Sequence, residues 1–127
     1  MAHKVLVIDD EAGFTKLLKM NLEKTGEFEV RIENNSMKAL SAAREFRPDV
    51  ILLDVVMPGL DGGDVAAQFQ DDPMLRKVPV IMLTALVSPG ETSQDAVAQS
   101  GSLTVLPKPV NLDKLTQCLL GAIETAA

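Results

Sequence analysis

The sequence lacks several features that would each assign it to a particular class of protein. Cysteine occurs once, at Cys118, so an internal disulfide is impossible and a packed thiol is the expected state of this residue. No apolar run approaches the length of a membrane span, and the four apolar residues before Asp9 are too few for the core of a signal peptide. We therefore expect a cytoplasmic protein that does not insert into a membrane.

Basic residues are also scarce relative to acidic ones. The chain has 12 lysines and arginines against 18 aspartates and glutamates, a formal net charge of -6. Nucleic acids and anionic membranes attract clustered positive charge, so direct binding to either is not expected. With 127 residues, 46% hydrophobic and 24% charged, the chain has the composition of a globular protein with its own core. We expect one domain spanning residues 1–127.

Short apolar runs alternate with helical patterns along the chain. Residues 50–53 are all apolar and lie between turn-forming residues, which predicts a strand buried on both faces and therefore a parallel sheet. Four more strands are predicted at 5–8, 28–32, 79–83 and 103–106, the second of them at a sheet edge because it alternates apolar and polar residues. Five strands alternating with five helices predict an α/β fold whose single parallel sheet has helices on both faces.

Some helix boundaries and faces are also predicted. Gly26 is expected to end the first helix, Asn35 or Ser36 to cap the second, and Asn111 to cap the last. The helix before the fifth strand depends on a weak pattern of small residues. That weak pattern consists of Ala96, Val97 and Ser100. In the first helix, by contrast, large apolar residues recur at helical spacing: Phe14, Leu17, Leu18 and Leu22.

Four of the five predicted strands end in polar groups. Asp9 and Asp10 follow the first strand, Asp54 the third, Thr84 the fourth and Lys108 the fifth. The carboxyl ends of parallel strands share one edge, where ligands of open α/β sheets bind. Carboxylates crowded at one edge repel one another unless a cation neutralises them, and oxygen ligands favour Mg²⁺. Carboxylates, a hydroxyl and a lysine around such a cation suit the handling of a phosphoryl group, with a carboxylate as nucleophile.

These residues and their flanks carry a resemblance to a known family. The acid pair is followed by Glu11, residues 54–62 read Asp-Val-Val-Met-Pro-Gly-Leu-Asp-Gly, and the pairs Thr84-Ala85 and Lys108-Pro109 follow in order. Over essentially its whole length the chain resembles the receiver domain of two-component response regulators. The resemblance implies a flavodoxin-like (βα)5 fold with strand order 2-1-3-4-5.

The resemblance also implies a function and roles for three residues. Asp54 would accept a phosphoryl group from a phosphohistidine of a histidine kinase or histidine phosphotransfer protein. Lys108 would pair with a phosphoryl oxygen, and the hydroxyl of Thr84 would move onto the phosphoryl group and so signal phosphorylation to a downstream protein. Such a protein catalyses its own phosphorylation and dephosphorylation without turning over an external substrate. Part of the first helix is where kinases dock in this family.

The same resemblance implies a magnesium site and a backbone feature. Asp10, supported by Asp9, would hold Mg²⁺ together with the carboxylate of Asp54 and the main-chain carbonyl of Val56. The peptide bond between Lys108 and Pro109 would be cis, an isomer that orients the lysine side chain.

Two departures from the family pattern affect the output and the lifetime of the signal. The family usually carries an aromatic residue on the fifth strand, three positions before the lysine, and this chain has Val105 there. Because the chain lacks tyrosine and tryptophan, output through a rotating aromatic at this position is excluded, and loop and backbone movement must replace it. Val56 and Leu86, two positions after Asp54 and Thr84, cannot orient a hydrolytic water, so we expect slow self-dephosphorylation.

Two other functions are weighed against the phosphoacceptor. The first is a receiver-shaped docking module that binds a partner without phosphorylation. Val105 favours this alternative, whereas the acid pair, Asp54 and Lys108 argue against it. A Mg²⁺-dependent phosphohydrolase of the haloacid dehalogenase type would use an aspartyl phosphate, but it needs a second aspartate two residues after the nucleophile. Val56 stands at that position, so this alternative ranks last.

Overall fold

The computed structural model describes residues 2–55, 57–84, 98–100, 103–108 and 110–126, and for residues 98–100, 103 and 104 it describes the backbone. Among the helices in these ranges, none is long and apolar enough to cross a membrane. In chain order the elements are β1 (His3–Ile8), α1 (Ala12–Lys24), β2 (Phe28–Glu33), a 3₁₀ turn (Ser36–Lys38), α2 (Ala39–Phe46), β3 (Val50–Asp54), α3 (Gly62–Asp71), β4 (Val80–Thr84), β5 (Ala98–Ser100), β6 (Leu103–Pro107) and α4 (Leu112–Ala126).

The described strands form one sheet in the order β2-β1-β3-β4-β6-β5. All neighbouring pairs from β2 across to β6 are parallel. Counted along the chain, these five parallel strands have the order 2-1-3-4-5, with β6 as the fifth strand of the sequence prediction. The predicted flavodoxin-like parallel sheet is therefore confirmed.

The short strand β5 was not predicted. It pairs antiparallel with β6 and places Ser100 opposite Leu103. The sequence prediction had assigned Ser100 to a helix, and that assignment is wrong. A helix with so few large apolar side chains buries little surface, whereas the outer edge of β6 offers unpaired backbone groups that a short strand satisfies. The other two residues of the weak pattern, Ala96 and Val97, lie outside the described residues.

Two apolar cores lie on opposite faces of the sheet. Alternation along β1 sends Leu6 and Ile8 into the core beneath α2 and α3, and Val5 and Val7 into the core beneath α1 and α4. Helices therefore cover both faces, as the fully apolar strands predict. Each fully buried aliphatic side chain stabilises the fold by about 1.5–3 kcal/mol. This packing holds the strand ends, and the polar residues that follow them, in fixed positions.

The predicted helix boundaries agree with the structure where local chemistry determines them. Gly26, at φ 79°, adopts the left-handed conformation just after α1, and its N–H donates to the carbonyl of Glu23. Asn35 caps the 3₁₀ turn that leads into α2, because its side chain accepts a hydrogen bond from the N–H of Met37. Asn111 likewise accepts from the N–H of Lys114 at the start of α4, at 3.1 Å.

Helical spacing alone did not distinguish the buried leucines of α1. Leu18 is buried, with 6% of its surface exposed, whereas Leu17 is 58% exposed. The sequence left open which of these two leucines faces the core, and the structure assigns this place to Leu18. Consecutive helical residues point about 100° apart, so the rotation of α1 against the sheet decides which of the two is covered. Met20, one turn after Leu17, is also exposed, at 60%.

Candidate functional site

The polar residues predicted at the strand ends come together at one edge of the sheet. Asp54 and Thr84 are the last residues of β3 and β4, Asp9 follows β1, and Lys108 follows β6. Because these four strands are parallel, all four residues lie at the carboxyl edge. Asp9, Asp54 and Thr84 are buried despite their polarity. Buried polar groups need partners, so this edge is organised by specific interactions.

Lys108 lies among three carboxylates. Its Nζ is 2.6 Å from Oδ2 of Asp9 and 3.2 Å from Oε1 of Glu11. The same Nζ lies 3.6 Å from Oδ1 of Asp54. The lysine side chain is 12% exposed, while that of Glu11 is 64% exposed. One partly buried ammonium group thus offsets part of the negative charge of three carboxylates that repel one another.

The charge state of Lys108 follows from these neighbours. Burial acts to lower the pKa of its ammonium group, but the hydrogen bond and charge of Asp9, joined by Glu11 and Asp54, outweigh burial and raise the pKa. Lys108 is therefore cationic throughout the physiological pH range. Its stabilising contribution is present below the ordinary lysine pKa and is lost only as the pH rises through the raised value.

Asp9 is held by hydrogen bonds in addition to Lys108. Its Oδ1 accepts from the N–H of Glu11 at 3.0 Å, and its main-chain carbonyl accepts from the amide nitrogen of Asn34 at 2.8 Å. The same amide donates to Oγ1 of Thr15 at 3.0 Å, which connects the end of β1 to α1. Asp9 is therefore a fixed anion that orients Lys108.

The loop after Asp54 is tied to the sheet and to the 3₁₀ turn. The N–H of Gly62 donates to the carbonyl of Val55 at 2.8 Å, and a Cβ at Gly62 would lie 2.5 Å from the carbonyl oxygen of Asp54. Only glycine permits this approach without a shift. The buried hydroxyl of Ser36 donates to the carbonyl of Pro58 and accepts from the N–H of Leu60. Hydrogen bonds from Gly62 and from Ser36 therefore hold this loop in place.

Thr84 is joined to Lys108 through the backbone. The carbonyl of Thr84 accepts a hydrogen bond from the N–H of Lys108 at 2.8 Å, and Thr84 lies opposite Pro107 in the ladder. Neighbouring strand ends therefore place the threonine and the lysine side by side. Val105 is partly buried against the core beneath α2 and α3. An aliphatic side chain thus occupies the position where the family usually carries an aromatic residue.

The arrangement differs from the sequence prediction in which acid joins the cluster. Oxygens of Asp9, Glu11 and Asp54 lie within 4.8 Å of one another, whereas Asp10 is exposed and is not a member of this group. Strand β1 ends at Ile8, and the chain bends at the exposed Asp10 before Glu11, which lies directly before α1. The sequence motif already contained Glu11 beside the acid pair, but only the turn from β1 into α1 brings its carboxylate to Lys108. The role of Asp10 as a metal ligand stays a prediction.

Three further sequence predictions fall on residues outside those that the structure describes. These residues include Val56, the predicted carbonyl ligand, and Pro109, the proline of the predicted cis bond. Leu86, named with Val56 for slow dephosphorylation, is also among them.

The donor chemistry of the cluster suits a hard divalent cation. The three acids of the cluster supply oxygen donors only, and their mutual separation within 4.8 Å lets a small ion contact one or two of them and complete its shell with water. Lys108 pairs with carboxylate oxygens of the same three acids. A cation and the ammonium group would therefore share this pocket, and the residues present fit an acidic metal site.

The family model described as response regulator receiver domain matches residues 5–120. The chain belongs to the response regulator receiver family. The match includes every residue of the cluster and both flanking cores. The chain is therefore a receiver domain of two-component signal transduction, as its sequence motifs predicted.

Individual relatives agree with this assignment. The receiver domain is 31% identical over 119 residues to the polar-differentiation response regulator DivK of Brucella anthropi, covering 94% of each chain. It is 39% identical over 112 residues to the response regulator PleD of Caulobacter vibrioides, covering 87% of this chain and 24% of PleD. The receiver domain thus spans about a quarter of PleD, and whatever the remainder of PleD does is not transferred to it.

A solved structure shares the fold at similar coverage. The chemotaxis response regulator CheY4 of Vibrio cholerae superposes with a TM-score of 0.78 at 28% identity, covering 96% of this chain and 99% of CheY4. The receiver domain and CheY4 therefore match over nearly their full lengths.

Proposed function

We propose that this receiver domain is a phosphorylation-dependent signalling switch in which Asp54 accepts a phosphoryl group from a phosphohistidine. The observation that carries the proposal is the position of Asp54 at the carboxyl edge, with the Nζ of Lys108 3.6 Å from its Oδ1. The donor would be a histidine kinase or a histidine phosphotransfer protein. Membership of the receiver family and the acidic pocket both support this function.

The proposed transfer is a direct displacement at phosphorus. A carboxylate oxygen of Asp54 attacks the phosphorus atom, a P–O bond forms and the P–N bond to the donor histidine breaks. The bonding electron pair stays with the imidazole nitrogen, which takes a proton, and Asp54 becomes an acyl phosphate. Charge spreads over the phosphoryl oxygens in the transition state, so positioned cations are the main catalytic requirement.

Lys108 supplies one of these cations. Its ammonium group is a compact point charge on a flexible stem, and it already lies beside the acceptor carboxylate. Asp9, which is fully buried and 2.6 Å from Nζ, would hold the lysine while it pairs with a phosphoryl oxygen. The contact to Glu11 is longer and more exposed, so we propose that this partner is the one exchanged for the phosphoryl group.

Mg²⁺ is the proposed cofactor. The carboxylates of Asp9, Glu11 and Asp54 would hold it, together with Asp10 and the carbonyl of Val56 that the sequence predicts. When bound, it would neutralise phosphoryl oxygens that face the carboxylates. The protein's own part is to hold these acids close enough together that a cation is needed to relieve their repulsion.

Thr84 is the proposed reporter of phosphorylation. It ends β4, next to β3, and its carbonyl already accepts the N–H of Lys108. Movement of its hydroxyl toward a phosphoryl group on Asp54 would pull on the chain that follows β4. Because Val105 is aliphatic, the signal would be transmitted by movement of this loop and of the backbone. That movement would alter a surface to which a downstream protein binds.

The proposed kinase-docking surface is the exposed side of α1. Leu17 and Met20 are 58% and 60% exposed, and helical spacing of three residues places them side by side. Both lie on the helix that begins beside the phosphoryl site. The protein would catalyse reactions of its own aspartate only, without acting as an enzyme on an external substrate.

The test is intact mass after incubation with acetyl phosphate, with and without Mg²⁺. We expect one phosphoryl adduct on the wild type that requires Mg²⁺ and is absent from Asp54→Asn. Asp71→Asn is the matched control, because it makes the same chemical change at the last residue of α3, away from the strand ends. An unmodified wild type, or an adduct that survives in Asp54→Asn, would refute the proposal and favour a docking module that acts without phosphorylation.

A further inference from the structure

The aromatic residue of this site comes from α1. The Nζ of Lys108 lies over the ring of Phe14, 4.5 Å from its centroid. Phe14 is half-buried and packs against the core beneath α1 and α4. A cation above an aromatic face is attracted by the negative potential of the ring, and the attraction is stronger when water is excluded.

The start of α1 therefore contacts Lys108 twice. Glu11 occupies the N-cap position of α1 without a capping hydrogen bond from its side chain, and Phe14 follows it three positions later, on the same side of the helix. Glu11 contributes a carboxylate oxygen 3.2 Å from Nζ, and Phe14 contributes an aromatic face. Asp9, Glu11 and Phe14 thereby surround the ammonium group, and among the residues that the structure describes the other charged group paired with it is Asp54.

We infer that Phe14 is a positioning residue for Lys108, holding its ammonium group at the distance from Asp54 at which it can meet a phosphoryl oxygen. The inference deepens the proposed function and depends on it. An aliphatic side chain at residue 14 would fill a similar volume but would present no negative face to the cation. Without the ring, the attraction that holds the ammonium group in place beside Asp54 is lost, and the group is positioned less firmly.

The contact itself is tested by the NMR signals of the Lys108 ε-methylene protons in unphosphorylated protein. Protons above an aromatic face are shifted upfield, so we expect these signals upfield of those of exposed lysines. The shift should vanish in Phe14→Leu and persist in Phe14→Tyr. Phe28→Leu is the matched control, because Phe28 is buried in the same core but on β2. Lys108 signals that coincide with those of exposed lysines in the wild type would overturn the inference.

The functional consequence is tested by the rate of phosphorylation with acetyl phosphate at saturating Mg²⁺. Phe14→Leu should be about threefold to tenfold slower than the wild type, the range expected from one cation–π contact. Phe14→Tyr should restore the rate, because it restores the ring. Phe28→Leu should react like the wild type if it is folded, which urea unfolding establishes.

These measurements separate the two proposals. Equal rates for Phe14→Leu and the wild type would overturn the positioning role and leave the phosphoacceptor intact. A wild type that shows the upfield shift but takes up no phosphate would refute the proposed function and, with it, the positioning role. A slow Phe14→Tyr variant that retains the upfield shift would show that the ring does not position the lysine, and this would also overturn the inference.

Discussion

Replacing Gly62 with alanine tests how closely α3 is packed against the acceptor residue. A Cβ at this position would lie 2.5 Å from the carbonyl oxygen of Asp54, 2.8 Å from Cα of Val55 and 2.9 Å from Cε of Met82. The methionine methyl group can swing aside. The other two atoms belong to the backbone at the end of β3, in the middle of the sheet. Either the start of α3 or the end of β3 must therefore move.

The expected effect on stability follows from two opposing terms. Overpacking a tight site costs about 1–3 kcal/mol. Alanine is a better helix former than glycine by up to about 1 kcal/mol, but Gly62 is the first residue of α3, where this gain is small. We therefore expect Gly62→Ala to lower the free energy of unfolding by about 1–3 kcal/mol. For a domain of this size each kcal/mol lowers Tm by about 3–5 °C.

The assay is urea unfolding followed by circular dichroism, with Gly121→Ala as the matched control. Gly121 lies within α4, and a Cβ there would meet nothing within 4 Å. This control should gain up to about 1 kcal/mol, so the two variants should differ in opposite directions from the wild type. Because the strain acts on the backbone of Asp54, the folded fraction of Gly62→Ala should also accept phosphate more slowly. A Gly62→Ala variant as stable as Gly121→Ala would refute the packing argument.

Three further predictions concern the hydrogen bonds of Ser36 to the loop after Asp54, stability in acid and the lifetime of the phosphorylated state. Ser36→Ala should lower the free energy of unfolding by about 1–3 kcal/mol, because it leaves the N–H of Leu60 without its hydroxyl partner; an unchanged urea midpoint would contradict this. Burial acts to raise the pKa of Asp72, but the hydrogen bond and charge of Arg44 and nearby backbone N–H groups outweigh it and lower the pKa. The stability that results from the lowered pKa is present above the ordinary aspartate pKa of about 4 and is lost as the pH falls through the lowered value. Arg44→Ala should therefore lose less stability than the wild type on acidification. The measurement is the urea midpoint of both proteins from about pH 6 to about pH 3. Phosphorylated protein should lose its phosphate slowly, and Val56→Gln should lose it faster by supplying an amide that can orient water; equal decay rates by intact mass would oppose this reasoning.

The four strand-end residues could be predicted because their positions depend on local pattern. Apolar runs that stop at Asp54, Thr84 or Lys108 mark where strands leave the core, and parallel pairing brings those ends together. The fully apolar run in β1 likewise predicts a core on each face of the sheet. These predictions required no knowledge of how the helices are rotated against the sheet.

Other features depended on packing between distant segments. The choice of Leu18 over Leu17 for the core was settled by the rotation of α1. The turn from β1 into α1 leaves Asp10 exposed and brings the carboxylate of Glu11 to 3.2 Å from the Nζ of Lys108. Strand β5 formed where sheet pairing was more favourable than a weakly apolar helix.

By itself, the sequence determined the fold class, the edge of the sheet that carries the chemistry, and the strand-end residues Asp9, Asp54, Thr84 and Lys108 that meet there. It could do so because strand period, helix caps and turn residues act over a few neighbouring positions. Tertiary structure alone decided which acids face Lys108 and that the ring of Phe14 lies beneath its ammonium group. Those contacts join α1 to the residue after β6, and their geometry arises only when both cores are packed against the sheet.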